Sequence, residues 1–254
     1  MSENPSAPPR DECNWHDKSV DKPAVVFLEL RDMNEAANLH YDKSYFEWQQ
    51  TIGRFGGTAN LVKFKDLISP EDFVIDFGAG GGFLLESIEC RNKVGIEIND
   101  TGRASAEARG LTMHPSLDDV ASDSVDVVIS NNALEHTDSP LTILKDVHRV
   151  LKPGGKAIFV VPCESISYRY KSEDVNYHLY TWSPMCIGNL FHRAGFEVLE
   201  SRAFVHKWPP QWLRLQRLAG WKLFHLASTL WGHLARDWFQ VRCVARKPAT
   251  TPSA

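Results

Sequence analysis

A chain of 254 residues, 43% hydrophobic and 24% charged, can bury one substantial core, or one domain with an appendage. Its formal net charge of -4 argues against nucleic acid as the main partner, because neutralising phosphates needs clustered Lys and Arg. No run of roughly 18 apolar residues occurs, so no membrane-spanning helix is expected.

Residues 1–22 are polar and Pro-rich and are expected to be a disordered tail, as is 248–254. MSENPSAPPRDEC lacks the apolar segment of a secretory signal, so a cytoplasmic chain is expected. Cys13, Cys90, Cys163, Cys186 and Cys243 are widely spaced with no CxxC pair. That pattern suggests reduced thiols, with neither a disulfide framework nor a metal site. Residues 23–247 read as a single domain, opening with a helical lid over 23–70.

From FVIDF (73–77) the chain alternates between two periods. That run is short, apolar and closed by glycines, which predicts a buried strand. GFLLESIE (82–89) follows as a helix and KVGIEI (93–98) as a second strand. NDTGRASAEARG (99–110) reads as a helix with Asn99 or Asp100 as its cap and Gly110 as its stop. LTMH (111–114) and SVDVVIS (124–130) are the third and fourth strands. SPLTILKDVHRVLKPGG (139–155) is an amphipathic helix capped by Ser139, and KAIFVVP (156–162) is the fifth strand. SPMCIGNLFHRAG (183–195) is a further helix, and FEVLESRAF (196–204) with WFQVRCVARK (238–247) closes the sheet. Strands apolar on both faces and alternating with helices predict an α/β fold with a parallel sheet covered on both sides. The final pair suggests an antiparallel edge.

Two features suggest a nucleotide-type ligand. In Asp76-Phe77-Gly78-Ala79-Gly80-Gly81-Gly82, the glycines let the backbone turn sharply and approach a ligand closely. The helix that opens there would favour an electronegative group. Glu97, at the end of the second strand, can accept hydrogen bonds from both hydroxyls of a ribose. This pair leaves a dinucleotide and S-adenosylmethionine both open.

The segment DVVISNNALEHTDSPLTILKDVHRVLKPGGKAIFVVP (126–162) adds a Leu-Glu-His turn after strand four and a helix ending Arg-Val-Leu-Lys-Pro-Gly-Gly. With the glycine loop and Glu97 in order before it, the chain closely resembles the class I S-adenosylmethionine-dependent methyltransferases over about residues 70–165, and loosely to 247. The resemblance implies a Rossmann-like, doubly wound, seven-stranded sheet and S-adenosylmethionine as cofactor. It implies cofactor contacts from Asp76, Gly78, Ala79, Gly80, Gly82, Phe83, Glu97 and Ile98. Asn131, Asn132 and Ala133 would line the methionine side. After strand three, where the family often has an acidic residue, this chain has His114-Pro115-Ser116-Leu117-Asp118-Asp119; Ser116 and Leu117 are the adenine candidates.

An acceptor hydroxyl would benefit from a general base, and His suits that role near neutral pH. His136 and His178 both follow strands at the carboxyl edge, where open α/β sheets bind ligands. Tyr180 could assist as a donor, whereas His148 and His192 fall within helices and read as packing or surface residues. Tyr41, Tyr45, Phe46 and Trp48 precede the first strand. Tyr41 or Tyr45 could reach the pocket from a lid that also holds Arg54, Gly56 and Gly57.

Segment 209–236 carries Trp212, Leu215, Ala219, Leu223, Leu226, Leu230 and Leu234 at three- and four-residue steps, giving one apolar stripe. The favoured expectation is that this stripe docks on the domain or forms a homodimer contact. The alternative is an interfacial helix at the inner membrane surface, with Trp and basic residues at the lipid boundary. The expected activity is methyl transfer to an oxygen of a small or lipid-linked acceptor. A sugar in bacterial glycan synthesis ranks first and a polyprenyl phenol or quinone precursor second. A nitrogen acceptor, a non-catalytic cofactor-binding scaffold and an NAD-dependent enzyme compete with this.

Overall fold

A computed structural model describes residues 43–171, 174, 176–236 and 239–249, with side chains from residue 52 onward. Both expected tails, apart from Pro248 and Ala249, lie outside the described residues. So do Tyr41 and the side chains of Tyr45, Phe46 and Trp48.

Seven strands form one sheet in the order β3-β2-β1-β4-β5-β7-β6. They are β1 (Phe73–Phe77), β2 (Asn92–Ile96), β3 (Thr112–His114), β4 (Val125–Asn131), β5 (Leu151–Cys163), β6 (Glu197–Phe204) and β7 (Phe239–Arg246). Strands β1 to β5 pair in parallel, and β7 runs antiparallel to both β5 and β6. The expected antiparallel edge is thus present, with β7 inserted between β5 and the outermost strand β6.

The helices are α1 (Lys43–Asn60), α2 (Phe83–Glu86), α3 (Asp100–Glu107), α4 (Pro140–Val150), α5 (Pro184–Arg193) and α6 (Trp212–Ala235). The central strands bury both faces. Ile75, Val128 and Phe159 pack with Leu144 and Val147 of α4 and Ile187 and Phe191 of α5. Val74, Val127, Ile129 and Ile158 face the other way, onto Phe64, Leu84 and Ile88. Alternate residues of one apolar run thus feed two cores, as a sheet covered on both sides requires.

Side-chain caps fix two of the helix starts. The Asn99 side chain caps α3 by accepting from the Thr101 and Gly102 N–H groups, and Ser183 caps α5 by accepting from Cys186 N at 3.1 Å. Such caps contribute about 1 kcal/mol each. Ser139 occupies the cap position of α4, but its hydroxyl pairs with Thr142 Oγ1 instead of a backbone amide.

Two expected helices shorten. The one over 139–155 stops at Val150 because Pro153 disfavours helical geometry at Lys152, and Leu151–Gly155 bulges into β5. The one over 82–89 is a single turn, Phe83–Glu86. So short a helix adds little dipole, and what the glycine loop offers a ligand is close backbone approach beside Glu97.

Helix α1 lies on α2, the turn that follows the glycine loop. A Cβ on Gly57 would come within 2.2 Å of the Phe83 carbonyl oxygen, so only glycine permits this approach. The face of α1 bearing Phe55 meets Trp208, Trp212, Trp221 and Phe224 at ring-centroid distances of 4.2–5.4 Å. Helices α2, α1 and α6 thus form one continuous stack.

Candidate active site

On the donor side, β1 delivers Asp76 and then turns at Gly78, whose φ of +74° suits glycine. A Cβ there would meet Ala133 Cβ at 2.2 Å, so the loops after β1 and β4 touch. Gly78 N and Ala79 N both donate to Ile96 O, at 2.8 and 3.0 Å, tying the loop to the end of β2. Glu97 Oε2 accepts from Gly80 N at 2.7 Å and Oε1 from Asn99 N at 2.9 Å. Each carboxylate oxygen has a second lone pair, so both can still accept from a ribose hydroxyl while holding the loop. Burial pushes the Glu97 carboxyl up, opposed by these backbone hydrogen bonds and by Arg103. Asp76 is raised to about 8, chiefly by burial and then by the Glu97 charge.

Ile98 is 41% exposed beside Glu97, an apolar side chain free to lie against an adenine. Ser116 accepts from Asp118 N at 3.0 Å. The Leu117 side chain turns into the main core, so it is not available to an adenine. Phe83 is likewise used in packing, with Arg109 stacked 4.1 Å from its ring centroid. Asn131 Oδ1 accepts from Lys63 Nζ at 2.8 Å. Asn132, at φ +54°, donates its N–H to Val160 O and accepts from Gln240 Nε2 at 2.8 Å. An S-adenosylmethionine site fits these residues: close backbone, a bidentate carboxylate, an apolar edge and an amide-lined floor.

On the acceptor side, a 3₁₀ turn at Leu134–His136 follows β4, and the segment 164–182 follows β5. They are joined by Leu179 N donating to Glu135 O at 3.0 Å. This brings the two histidines together, with ring centroids 5.0 Å apart. His178 Nδ1 lies 2.6 Å from Glu164 Oε1, and the Nε2 atoms of His136 and His178 each lie 3.9 Å from Glu135 Oε1. Glu135 is sealed from solvent and raised to about 8 by burial, with Glu164 adding to the rise. Buried Lys63 is lowered to about 7 by desolvation, with the Glu135 charge opposing. Tyr180 OH donates to Asp138 O at 3.1 Å and stacks on Trp182, so its hydroxyl braces the segment. His148 packs edge-on against Phe196, as a helix residue would.

Glu135, His136 and His178 place one ligand-type atom each within 4.8 Å of one another. Cysteine spacing carries no information about such a group, since the fold assembles it from separate segments.

A family model of methyltransferase domains matches residues 47–201, more than half of the chain. The chain belongs to the S-adenosylmethionine-dependent methyltransferases. Among curated relatives, the methyltransferase is 27% identical over 190 residues to a ubiquinone biosynthesis O-methyltransferase of Roseobacter denitrificans, covering 63% of this chain and 72% of that one. It is 32% identical over 98 residues to the protein of the same name from Pseudomonas syringae pv. tomato, covering 34% of this chain but only 42% of that one. Among solved structures, it superposes with a TM-score of 0.60 on a SAM-dependent methyltransferase of Thermotoga maritima, described as a possible histamine N-methyltransferase. That match is 20% identical and covers 83% of this chain and 98% of the other. The NAD and scaffold alternatives end here: the methyltransferase is an enzyme that uses S-adenosylmethionine.

Sequence reasoning missed Lys63 and Glu164. Glu164 had a signal, since it sits just past an apolar strand as Glu97 does. Lys63 had none, because nothing in LVKFKD separates a buried lysine from a surface one.

Proposed function

We propose that the methyltransferase alkylates an oxygen of a small or lipid-linked acceptor, with His178 taking the hydroxyl proton. The observation that carries this is the 2.6 Å contact between His178 Nδ1 and Glu164. A carboxylate there accepts the Nδ1 proton, fixes the ring and leaves Nε2 as a lone-pair acceptor. S-adenosylmethionine, when bound, supplies a sulfonium methyl whose C–S bond breaks as the O–C bond forms. Asp76, the glycine loop and Glu97 hold the donor, and the segment after β5 closes over the acceptor so that oxygen, methyl and sulfur can align. His136 is the more solvent-exposed of the two histidines and is the second candidate for the proton.

The names of the curated relatives support a polyprenyl phenol or quinone precursor over a glycan sugar, reversing the order drawn from the sequence. Proton transfer gives the same preference. A phenol ionises near pH 10, as Tyr does, within closer reach of an imidazole than a sugar hydroxyl is. No helix among the described residues is long and apolar enough to cross a membrane, so a lipid-linked acceptor would be met at a surface.

The test is formation of S-adenosylhomocysteine and a methyl ether when the purified chain is given polyprenyl phenols, lipid-linked sugars and amines in parallel. Ether formation on a phenol is expected. Products methylated on nitrogen alone, or on a sugar alone, would overturn the acceptor assignment.

A further inference from the structure

Trp212 at the start of the α6 stripe packs on Phe55, but the leucines beyond Gly220 do not dock. Gly220, at φ +73° and ψ 177°, breaks the helix and resets its phase, so residues before and after it no longer share one face. Beyond the break, α6 is held down by Phe224, Ser228 and Gly232, all buried. Lys207 N donates to Ser228 O at 3.1 Å, and a Cβ on Gly232 would meet Val205 Cγ1 at 2.6 Å. The small residues therefore let α6 sit close on the segment after β6. That docking turns Leu223, Leu226, Leu230 and Leu234 outward, exposed by 53%, 57%, 57% and 77%. At steps of three and four residues they form one ridge. Lys222 and His233 flank it on one side. Before the break, Gln211, Leu213, Arg214, Arg217 and Leu218 line an open depression of about 470 Å³.

Charge decides what covers this face. Helix α6 and its cap (212–236) contain Arg214, Arg217, Lys222 and Arg236 and no Asp or Glu, in a chain whose net charge is -4; Lys222 flanks the ridge itself, and Arg214 and Arg217 line the depression before the break. A second copy meeting the same face across a two-fold axis would set cations against cations. An anionic surface would neutralise them while the leucines left water.

We infer that α6 docks the enzyme on the surface of a bilayer carrying anionic lipids, with the Leu223–Leu234 ridge among the acyl chains and the cations at the phosphates. This rests on the lipid-linked reading above for its purpose, while its geometry is independent of which acceptor is methylated. Because α6 packs on α1 and α1 on α2, the turn after the glycine loop, docking sets the site beside the membrane.

The full chain is sedimented with vesicles of phosphatidylcholine, with and without phosphatidylglycerol. Co-sedimentation is expected with the anionic vesicles and should weaken as salt rises. The double variant Leu226→Ser/Leu230→Ser should lower the partition coefficient about tenfold or more, because it removes buried methylenes from the acyl region. Arg217→Gln/Lys222→Gln should lower it on anionic vesicles only. These side chains are exposed, so circular dichroism and S-adenosylmethionine affinity should not change. Wild type left in the supernatant with anionic vesicles would overturn the inference, as would leucine variants that bind equally well. A dimer seen by analytical ultracentrifugation, lost in the leucine variant and indifferent to vesicles, would assign the face to a second copy instead. Methylation of a soluble phenol without vesicle binding would sink this inference alone, and vesicle binding without any methyl transfer would sink the functional reading alone.

Discussion

The two halves of the active site are built by different means. The donor half is mostly backbone: the amides of Gly78 and Ala79 donate to Ile96 O and that of Gly80 to Glu97, which holds the loop in its close turn. The acceptor half is side chains drawn from distant segments, with Glu135, His136, Glu164 and His178 within one connected group. A backbone site tolerates little change at its turns but needs few particular side chains. A side-chain site keeps its fold when one member is replaced and loses only that member's chemistry. Substitutions should separate the halves on that basis.

The largest effect is expected from Gly78→Val. It places a β-branched residue at positive φ, 2.2 Å from Ala133 Cβ, and should cost more than about 3 kcal/mol of stability along with donor binding. Calorimetric titration with S-adenosylmethionine and thermal melting would check both; unchanged affinity would mean the loop does not hold the donor. Next, His178→Ala should lower kcat by about 10²- to 10⁴-fold with donor affinity intact. Glu164→Gln should lower kcat less, with KM and donor affinity intact, since it positions the His178 ring and does not take the proton itself. A full-activity His178→Ala enzyme would remove that residue from the mechanism, and His136→Ala is the parallel test of the second candidate.

Glu97→Gln should weaken donor binding by roughly 10- to 100-fold, the cost of charge-assisted hydrogen bonds, and leave kcat at saturating donor nearly unchanged. A fall in kcat without a fall in affinity would blur the division between the halves.

The smallest effect, taken per pH unit and per carboxyl, is one of pH. Asp76 and Glu135 are raised to about 8 in the folded chain, from ordinary values of 3.8 and 4.5. Between about pH 4.5 and 8 the folded state therefore holds protons that the unfolded state has released. Stability should fall as pH rises through that window, by up to about 1.4 kcal/mol per pH unit for each carboxyl. Lys63, lowered to about 7, acts in the opposite sense above pH 7. Denaturant melts of Glu135→Gln across pH 5–7 should show a flatter decline than wild type. Parallel curves would mean that Glu135 is ionised in the folded protein.

What the sequence determined by itself was local in origin. Short apolar runs marked β1 to β5, Asn99 announced its helix, and the glycine loop with Glu97 announced the donor. Each depends on residues near in the chain, so its physics is complete within a short window. The meeting of His178 with Glu164 and Glu135 was decided only when the sheet brought β4 and β5 side by side, and the burial that shifts Lys63 depends on that packing. The direction of the α6 leucines was also hidden. Residues 212–234 read as one stripe until Gly220 broke the helix and Phe224, Ser228 and Gly232 claimed the inward face. Periodicity shows that a helix has an apolar side, but which side faces the protein depends on how closely each can approach its neighbours.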